Sequence, residues 1–195
     1  MGQRECNLAF GMNISNIGSK ISYDSGNTSE FIPTNLRLGG SLLMPIDEYN
    51  TFAISADANK LLVPTRPLQK DGETDTDYQD RLQRDYRDMS PIAGIFKSFS
   101  DAPGGFKEEM QEVQWSVGAE YTYHQQFSVR GGYHYENQNK GNRKYFSVGA
   151  GFKMNVFSLD AAYLISTAQS NPLDQTLRFS LSFDMDGIKD IFGKR

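Results

Sequence analysis

From Val113 to Phe183 the chain alternates apolar and polar residues with a period of two, and a rhythm sustained that long folds as β-strands. Val113, Trp115, Val117, Ala119, Tyr121 and Tyr123 share one face, with Gln114, Ser116, Gly118, Glu120 and Thr122 on the other. After His124-Gln125-Gln126 the pattern restarts, setting Phe127, Val129, Gly131, Tyr133 and Tyr135 against Ser128, Arg130, Gly132, His134 and Glu136. A second pair follows, with Phe146, Val148, Ala150, Phe152 and Met154, then Phe157, Leu159, Ala161, Tyr163 and Ile165 beyond a turn at Asn155. The stretch Thr176 to Phe183 repeats the scheme with Leu177, Phe179, Leu181 and Phe183. Earlier, Leu8, Phe10, Met12 and Ile14 form such a face, with Ile21 and Tyr23 as an extension past Gly18. So do Leu36, Leu38, Leu42 and Met44, and then Phe52, Ile54, Ala56 and Ala58. The reading predicts an all-β chain of about eight antiparallel up-and-down strands.

Connection lengths alternate. Met44 to Asn50, Tyr123 to Phe127 and Met154 to Phe157 are tight. The connections through Asp24-Ser25-Gly26-Asn27, Val63 to Glu112, Glu136 to Asn142 and Gln169 to Pro172 are longer and polar. Short turns on one rim and long loops on the other are the habit of outer-membrane barrels. No apolar run approaches the roughly 18 residues that a spanning helix needs, so a chain like this crosses a membrane only as a barrel. The apolar face is aliphatic in mid-strand and aromatic toward the strand ends, as an interfacial girdle requires. The opposite face carries Arg37, Asp57, Glu120, Arg130, Glu136, Lys153, Asp160 and Arg178, which predicts a wet or plugged lumen whose charges compensate one another.

A net charge of −4 gives no nucleic-acid footprint. Cys6, the sole cysteine, excludes an intrachain disulfide and a multi-cysteine metal cluster. Met1-Gly2-Gln3-Arg4-Glu5 runs straight into strand-like sequence without the apolar core of a secretory signal, so either the protein is cytoplasmic or its front is missing. We therefore read 1–183 as part of an outer-membrane β-barrel and 184–195 as a periplasmic tail, in which Ile188, Ile191 and Phe192 have helical spacing.

The long connection 63–112 breaks the strand rhythm at Pro64 and Pro67. Its spacing predicts a helix from about Thr76, as N-cap, to Met89, with Tyr78, Leu82, Tyr86 and Met89 on one stripe packed over the barrel mouth. A second apolar segment, Ile92, Ile95, Phe96 and Phe99, precedes the Pro103-Gly104-Gly105 turn. Long structured loops in compact domains serve as lids or as partner-binding surfaces, so Tyr78, Leu82, Tyr86, Ile95, Phe96, Phe99 and Phe106 are the candidate partner-binding residues. A mouth-closing plug is the structural alternative, since it too would hide Phe96, Phe99 and Phe106 from water.

Ser98-Phe99-Ser100-Asp101-Ala102-Pro103-Gly104-Gly105-Phe106-Lys107-Glu108-Glu109, running into Trp115-Ser116-Val117-Gly118-Ala119-Glu120-Tyr121, resembles the PorV (LptO) family of type IX secretion. Asn13 to Gly18, Phe31 to Arg37, Gly151 to Asn155, Asn171-Pro172-Leu173 and Leu177 to Ser180 are similar to that family as well. The resemblance implies a FadL-like barrel of 14 strands, of which this chain supplies the C-terminal eight. It implies an outer-membrane shuttle that binds secreted proteins carrying C-terminal sorting domains at the translocon SprA. Delivery to the surface attachment complex containing the sortase PorU follows, with membrane lipid and lipopolysaccharide as surroundings.

Three rival readings differ in what they require. A FadL-like channel for hydrophobic ligands needs an apolar lumen, against the charged inward face. A lipopolysaccharide deacylase, an activity also described for relatives, needs a nucleophile and a base together. The two histidines, His124 in a turn and His134 on the inward face, lie in no Gly-x-Ser-x-Gly elbow, so no catalytic residue is assigned. A closed eight-stranded barrel is geometrically possible. If the sheet is instead open, the strands near Leu8 and Phe179 are edges that need covering. The pairs Asp75 and Asp77, or Asp184 and Asp186, lack calcium-loop spacing, and no metal or cofactor is implied.

Overall fold

The computed structural model describes residues 5–22, 29–167 and 174–187. Eight strands form one antiparallel sheet in the order of the chain. They are β1 (Asn7–Ser15), β2 (Asn35–Pro45), β3 (Asn50–Leu61), β4 (Gln114–Tyr123), β5 (Phe127–Tyr135), β6 (Lys144–Met154), β7 (Phe157–Ser166) and β8 (Leu177–Phe183). Among the described residues the order begins at β1 and ends at β8, without a pairing that joins the two. Among the described residues no helix is long and apolar enough to cross a membrane.

The register preserves the two faces across each of the strand pairs from β4 to β8. Between β4 and β5, Val117 faces Tyr133, Tyr121 faces Val129 and Glu120 faces Arg130. Between β5 and β6, Val129 meets Ala150 and Tyr133 meets Phe146. Val148 then meets Tyr163, and Leu159 meets Leu181. A slip of one residue would put the apolar set of one strand opposite the polar set of its neighbour, so the alternation itself selects the pairing. The apolar face stays open, with Phe10, Val117, Val129, Phe146, Leu159, Phe179 and Leu181 all exposed.

By contact density the chain divides into two units. One holds Met1–Gly11, Gly39–Ala58 and Gln114–Arg195, and the other Met12–Leu38 and Asn59–Val113. In the first, Arg130 on β5 bonds both Glu120 on β4 and Asp160 on β7. To reach Asp160 its guanidinium must cross β6, and glycine clears the way. A Cβ on Gly151 would lie 2.5 Å from Asp160 Oδ1 and 2.6 Å from Ser128 Oγ. The inward charges compensate one another in this carboxylate–guanidinium–carboxylate bridge, as the sequence leads one to expect.

The tight connections have local causes. Asp47 Oδ1 accepts from the backbone N–H groups of Tyr49 and Asn50, each at 2.8 Å, and closes the β2–β3 turn. His124 and Gln125 adopt positive φ between β4 and β5, and Asn155 does so between β6 and β7. His124 also stacks on Tyr49 with ring centroids 4.2 Å apart and donates its backbone N–H to the Tyr49 carbonyl at 2.7 Å. Its role here is to tie two turns together.

Three expectations need correction or fall outside the described residues. β1 stops at Ser15, where Asn16 turns to φ 57°, and Ile21 makes only an isolated bridge with Glu30. The extension past Gly18 is therefore not a strand, and Tyr23 lies outside the described residues. The connections at Asp24 to Asn27 and Gln169 to Pro172, and the tail residues Ile188, Ile191 and Phe192, also lie outside them.

Candidate functional site: the loop between β3 and β4

Three short helical pieces build this loop: α1 (Asp75–Leu82), which runs on as a π turn over Gln83–Arg87, then α2 (Pro91–Lys97) and α3 (Phe106–Gln111). The N-cap of α1 is Thr74 rather than Thr76. Its hydroxyl accepts from Asp77 N at 3.2 Å and donates to the Asp77 carboxylate at 2.7 Å. Thr74 rather than Thr76 fits the cap because its side chain meets the N–H three residues on while Asp75 and Asp77 occupy the acidic first turn. The helical stripe ends before Met89, and the bond from Asp88 N to Gln83 O at 2.8 Å marks the widened last turn. α2 starts at a Ser90 cap with Pro91 in the first turn. α3, which follows the glycine turn, carries no periodicity long enough to be read from sequence.

The candidate residues fall into two groups. Leu82 is fully buried and Tyr86 nearly so, while Tyr78 is half-buried and donates its hydroxyl to Pro67 O at 3.2 Å. Tyr86 packs edge-on against Phe31 of the β1–β2 connection at 5.1 Å, and its hydroxyl donates to Glu30 at 3.1 Å. Burial, reinforced by the Glu30 carboxylate, pushes that phenol up to about 12. The stripe on α1 thus packs against the β1–β2 connection. Ile95 is half-buried. Phe96, Phe99 and Phe106 are exposed, Phe106 to 80%.

Lys20, which sequence reasoning passed over, anchors the far end of α1. Its ammonium donates to the carbonyls of Tyr86 and Arg87 at 2.9 and 2.7 Å and sits 4.0 Å over the Phe31 ring. Burial lowers its pKa, against Asp88 and Glu30, which raise it. Gly94 lets α2 approach the same ring, since a Cβ there would lie 2.6 Å from Phe31 Cε1. Closer to β4, Lys60 of β3 donates to Glu109 at 2.9 Å and Glu112 at 2.5 Å. Glu109 also accepts from Ala102 N at 2.8 Å, and Asp101 accepts from Thr65 N at 2.7 Å. The carboxylates of α3 are turned inward, onto β3 and the backbone.

On the sheet, Ser116 Oγ lies 2.9 Å from His134 Nδ1, a contact not anticipated from sequence because the two residues face each other only once the strands pair. His134 also stacks on Tyr145 at 4.9 Å. Nucleophilic catalysis would need donors aimed at a developing oxyanion, and here the neighbouring backbone N–H groups belong to the sheet ladder. The pair reads as a cross-strand hydrogen bond. Among the described residues no group of three His, Cys, Asp or Glu side chains could hold a metal ion.

Residues 4–68 match the family model described as type IX secretion system protein PorV. The matched stretch runs through β1, β2 and β3 into the start of the loop, and contains Asn13 to Gly18 and Phe31 to Arg37. Comparison with curated proteins gives no match. The eight-stranded antiparallel sheet is consistent with a portion of a β-barrel. Over this stretch the chain is similar to the PorV family of type IX secretion.

Proposed function

We propose that the chain forms the wall of an outer-membrane barrel over residues 1–183, with 184–195 as a periplasmic tail, and that it acts as the shuttle of type IX secretion. In this role it takes cargo bearing a C-terminal sorting domain from the translocon SprA and passes it to the attachment complex containing PorU. The reading is carried by the family match over 4–68, taken with a sheet that leaves Phe10, Val117, Val129, Phe146, Leu159 and Phe179 of its apolar face exposed. The loop of residues 63–112 is its protein-contact surface, because among the described residues it is the connection between strands that carries helices of its own.

The charged bridge of Arg130 with Glu120 and Asp160 disfavours a channel for hydrophobic ligands. A shallow apolar depression of about 630 Å³ does exist, lined by Leu8, Leu42, Ile54, Val117, Tyr133 and Phe146. These residues belong to the outward set, where lipid and not a lumen ligand would fill it.

The test compares the full native protein with a variant lacking Thr74 to Phe106, in co-purification with SprA and with sorting-domain cargo from outer-membrane extracts. Heat-modifiable gel mobility checks that the barrel forms. We expect the variant to insert and to lose one or both partners. Retention of both by an inserted variant would remove the loop from the contact surface.

A further inference from the structure

Among the described residues of the first unit, the outward face of the strands carries one charged side chain, Lys144. The other strand positions on that face are apolar or aromatic, apart from the amide of Asn50. A charge on a lipid-facing strand is costly at the middle of the membrane and tolerated at its border, so an exception of this kind belongs at a rim. Lys144 opens β6, directly after the long connection 136–143 and opposite Tyr135, the last residue of β5.

The surroundings of its ammonium are aromatic. It sits 5.1 Å from the centroid of the Tyr135 ring. Trp115, the only tryptophan of the sequence, faces Tyr135 from β4 and is 46% exposed. Tryptophan and tyrosine are the rings that lie at headgroup level. Arg130, Arg143 and Lys60 each hold a carboxylate, whereas among the described residues Lys144 has the Tyr135 ring and no carboxylate. A ring face takes up part of the charge and leaves the N–H groups of the ammonium for an acceptor.

Next to this cation the surface is hollow. Phe146, the following outward residue of β6, meets Tyr133 with ring centroids 4.7 Å apart, and the two line the apolar depression of about 630 Å³. Gly131 and Ala119, paired across β5 and β4, keep it open together with Gly40 and Ala56. A strand rises roughly 3.3 Å per residue, which puts the edge of the depression about 7 Å along β6 from Lys144. A phosphate-bearing headgroup with an acyl chain beneath it offers the anion and the apolar filling in that order.

We infer that this face binds one anionic lipid, with its headgroup phosphate on Lys144 between the Tyr135 and Trp115 rings and an acyl chain in the depression over Gly131 and Ala119. Lysine meets phosphate as a point charge with three donors. The inference deepens the outer-membrane reading proposed above and rests on it: the depression takes lipid, and Lys144 selects which lipid.

The experiment uses the full native protein in vesicles of phosphatidylcholine and phosphatidylglycerol, with one lipid or the other carrying brominated acyl chains. Bromine quenches tryptophan at close range, and the Trp115 signal is the difference between the protein and its Trp115→Phe variant. We expect Trp115 to report phosphatidylglycerol bound several-fold more strongly than phosphatidylcholine. The preference should vanish in Lys144→Gln, with quenching by brominated phosphatidylcholine retained as the sign that this variant has inserted. It should survive in Lys153→Gln, which removes a charge from the opposite face. Equal binding of the two lipids by the native protein, or an unchanged preference in Lys144→Gln, would overturn the inference. Loss of the preference in Lys153→Gln as well would overturn it too, since net charge and not this site would then attract the lipid. Quenching by neither brominated lipid in the native protein would instead sink the spanning reading itself.

Discussion

Glu136 shows how one buried charge organises a loop. It is 2% exposed just after β5, and its carboxylate accepts from Arg143 Nε at 2.8 Å, Arg143 Nη2 at 2.9 Å and Gln114 Nε2 at 2.8 Å. Burial alone would raise its pKa, but the Arg143 guanidinium and backbone N–H outweigh burial and hold it below the ordinary carboxylate value. Its contribution is therefore present above about pH 4.3 and lost as pH falls through the lowered folded value. Asp101 has the opposite sign. Burial, with Glu109 adding to it, raises its pKa, so its contribution is greatest in acid and declines as pH rises from the ordinary value to the raised one. We predict that Glu136→Gln speeds amide exchange across 137–143 at neutral pH by about 10- to 100-fold, the equivalent of roughly 1–3 kcal/mol. The native loop should approach the variant as the solution is acidified below about pH 4. Equal exchange in both proteins at neutral pH would show that backbone bonds alone hold this loop.

At the scale of the element, α1 and its π turn are held mainly from outside. An isolated helix of this length is marginal in water, so its anchors decide whether it persists. At the N-terminus these are the Thr74 cap and Arg81, whose guanidinium bonds Glu73 at 2.7 Å and pulls that carboxyl down to about 2. At the C-terminus the anchor is Lys20, bonded to two carbonyls and stacked on Phe31. Lys20→Met keeps the aliphatic stem and removes the ammonium. It should raise the rate at which trypsin nicks the folded protein at Arg84 and Arg87 about tenfold, since a hydrogen bond to a charged group contributes about 1.5–3 kcal/mol. A nicking rate equal to that of the native protein would place the stability of the π turn in Leu82 and Tyr86 instead.

At the scale of the whole molecule, the open question is the sheet edge. β1 and β8 end the strand order, and an edge in lipid leaves backbone groups that nothing else there can satisfy. We predict that these strands do not pair with each other. In a Cys6→Ser background, cysteines at Ala9 and Ser180 should fail to form a disulfide on oxidation, because the bond requires Cα atoms within about 7 Å. Cysteines at Ser158 and Ser182, which face each other across β7 and β8, should cross-link readily. Ready oxidation of the first pair, or of pairs shifted along either strand, would mean that the eight strands close on themselves.

The sequence by itself determined the strands, their faces and their order. In β4 to β8 the period of two holds along each strand, and because side-chain direction along a strand is a local property, Glu120 and Arg130 could be read as inward, while strand pairing set them opposite each other. The tight turns were legible for the same reason. Tertiary structure alone decided which side of each helical piece in the loop turns outward. Tyr86 and Phe99 look alike in sequence, yet Phe31 buries the first and leaves the second open. Lys60, Lys20 and His134 took their roles from partners far along the chain, Glu109, Tyr86 and Ser116. Short helices separated by glycine and proline turns carry too few residues for a periodic signal, and their orientation is set by packing between segments that meet only in the folded protein.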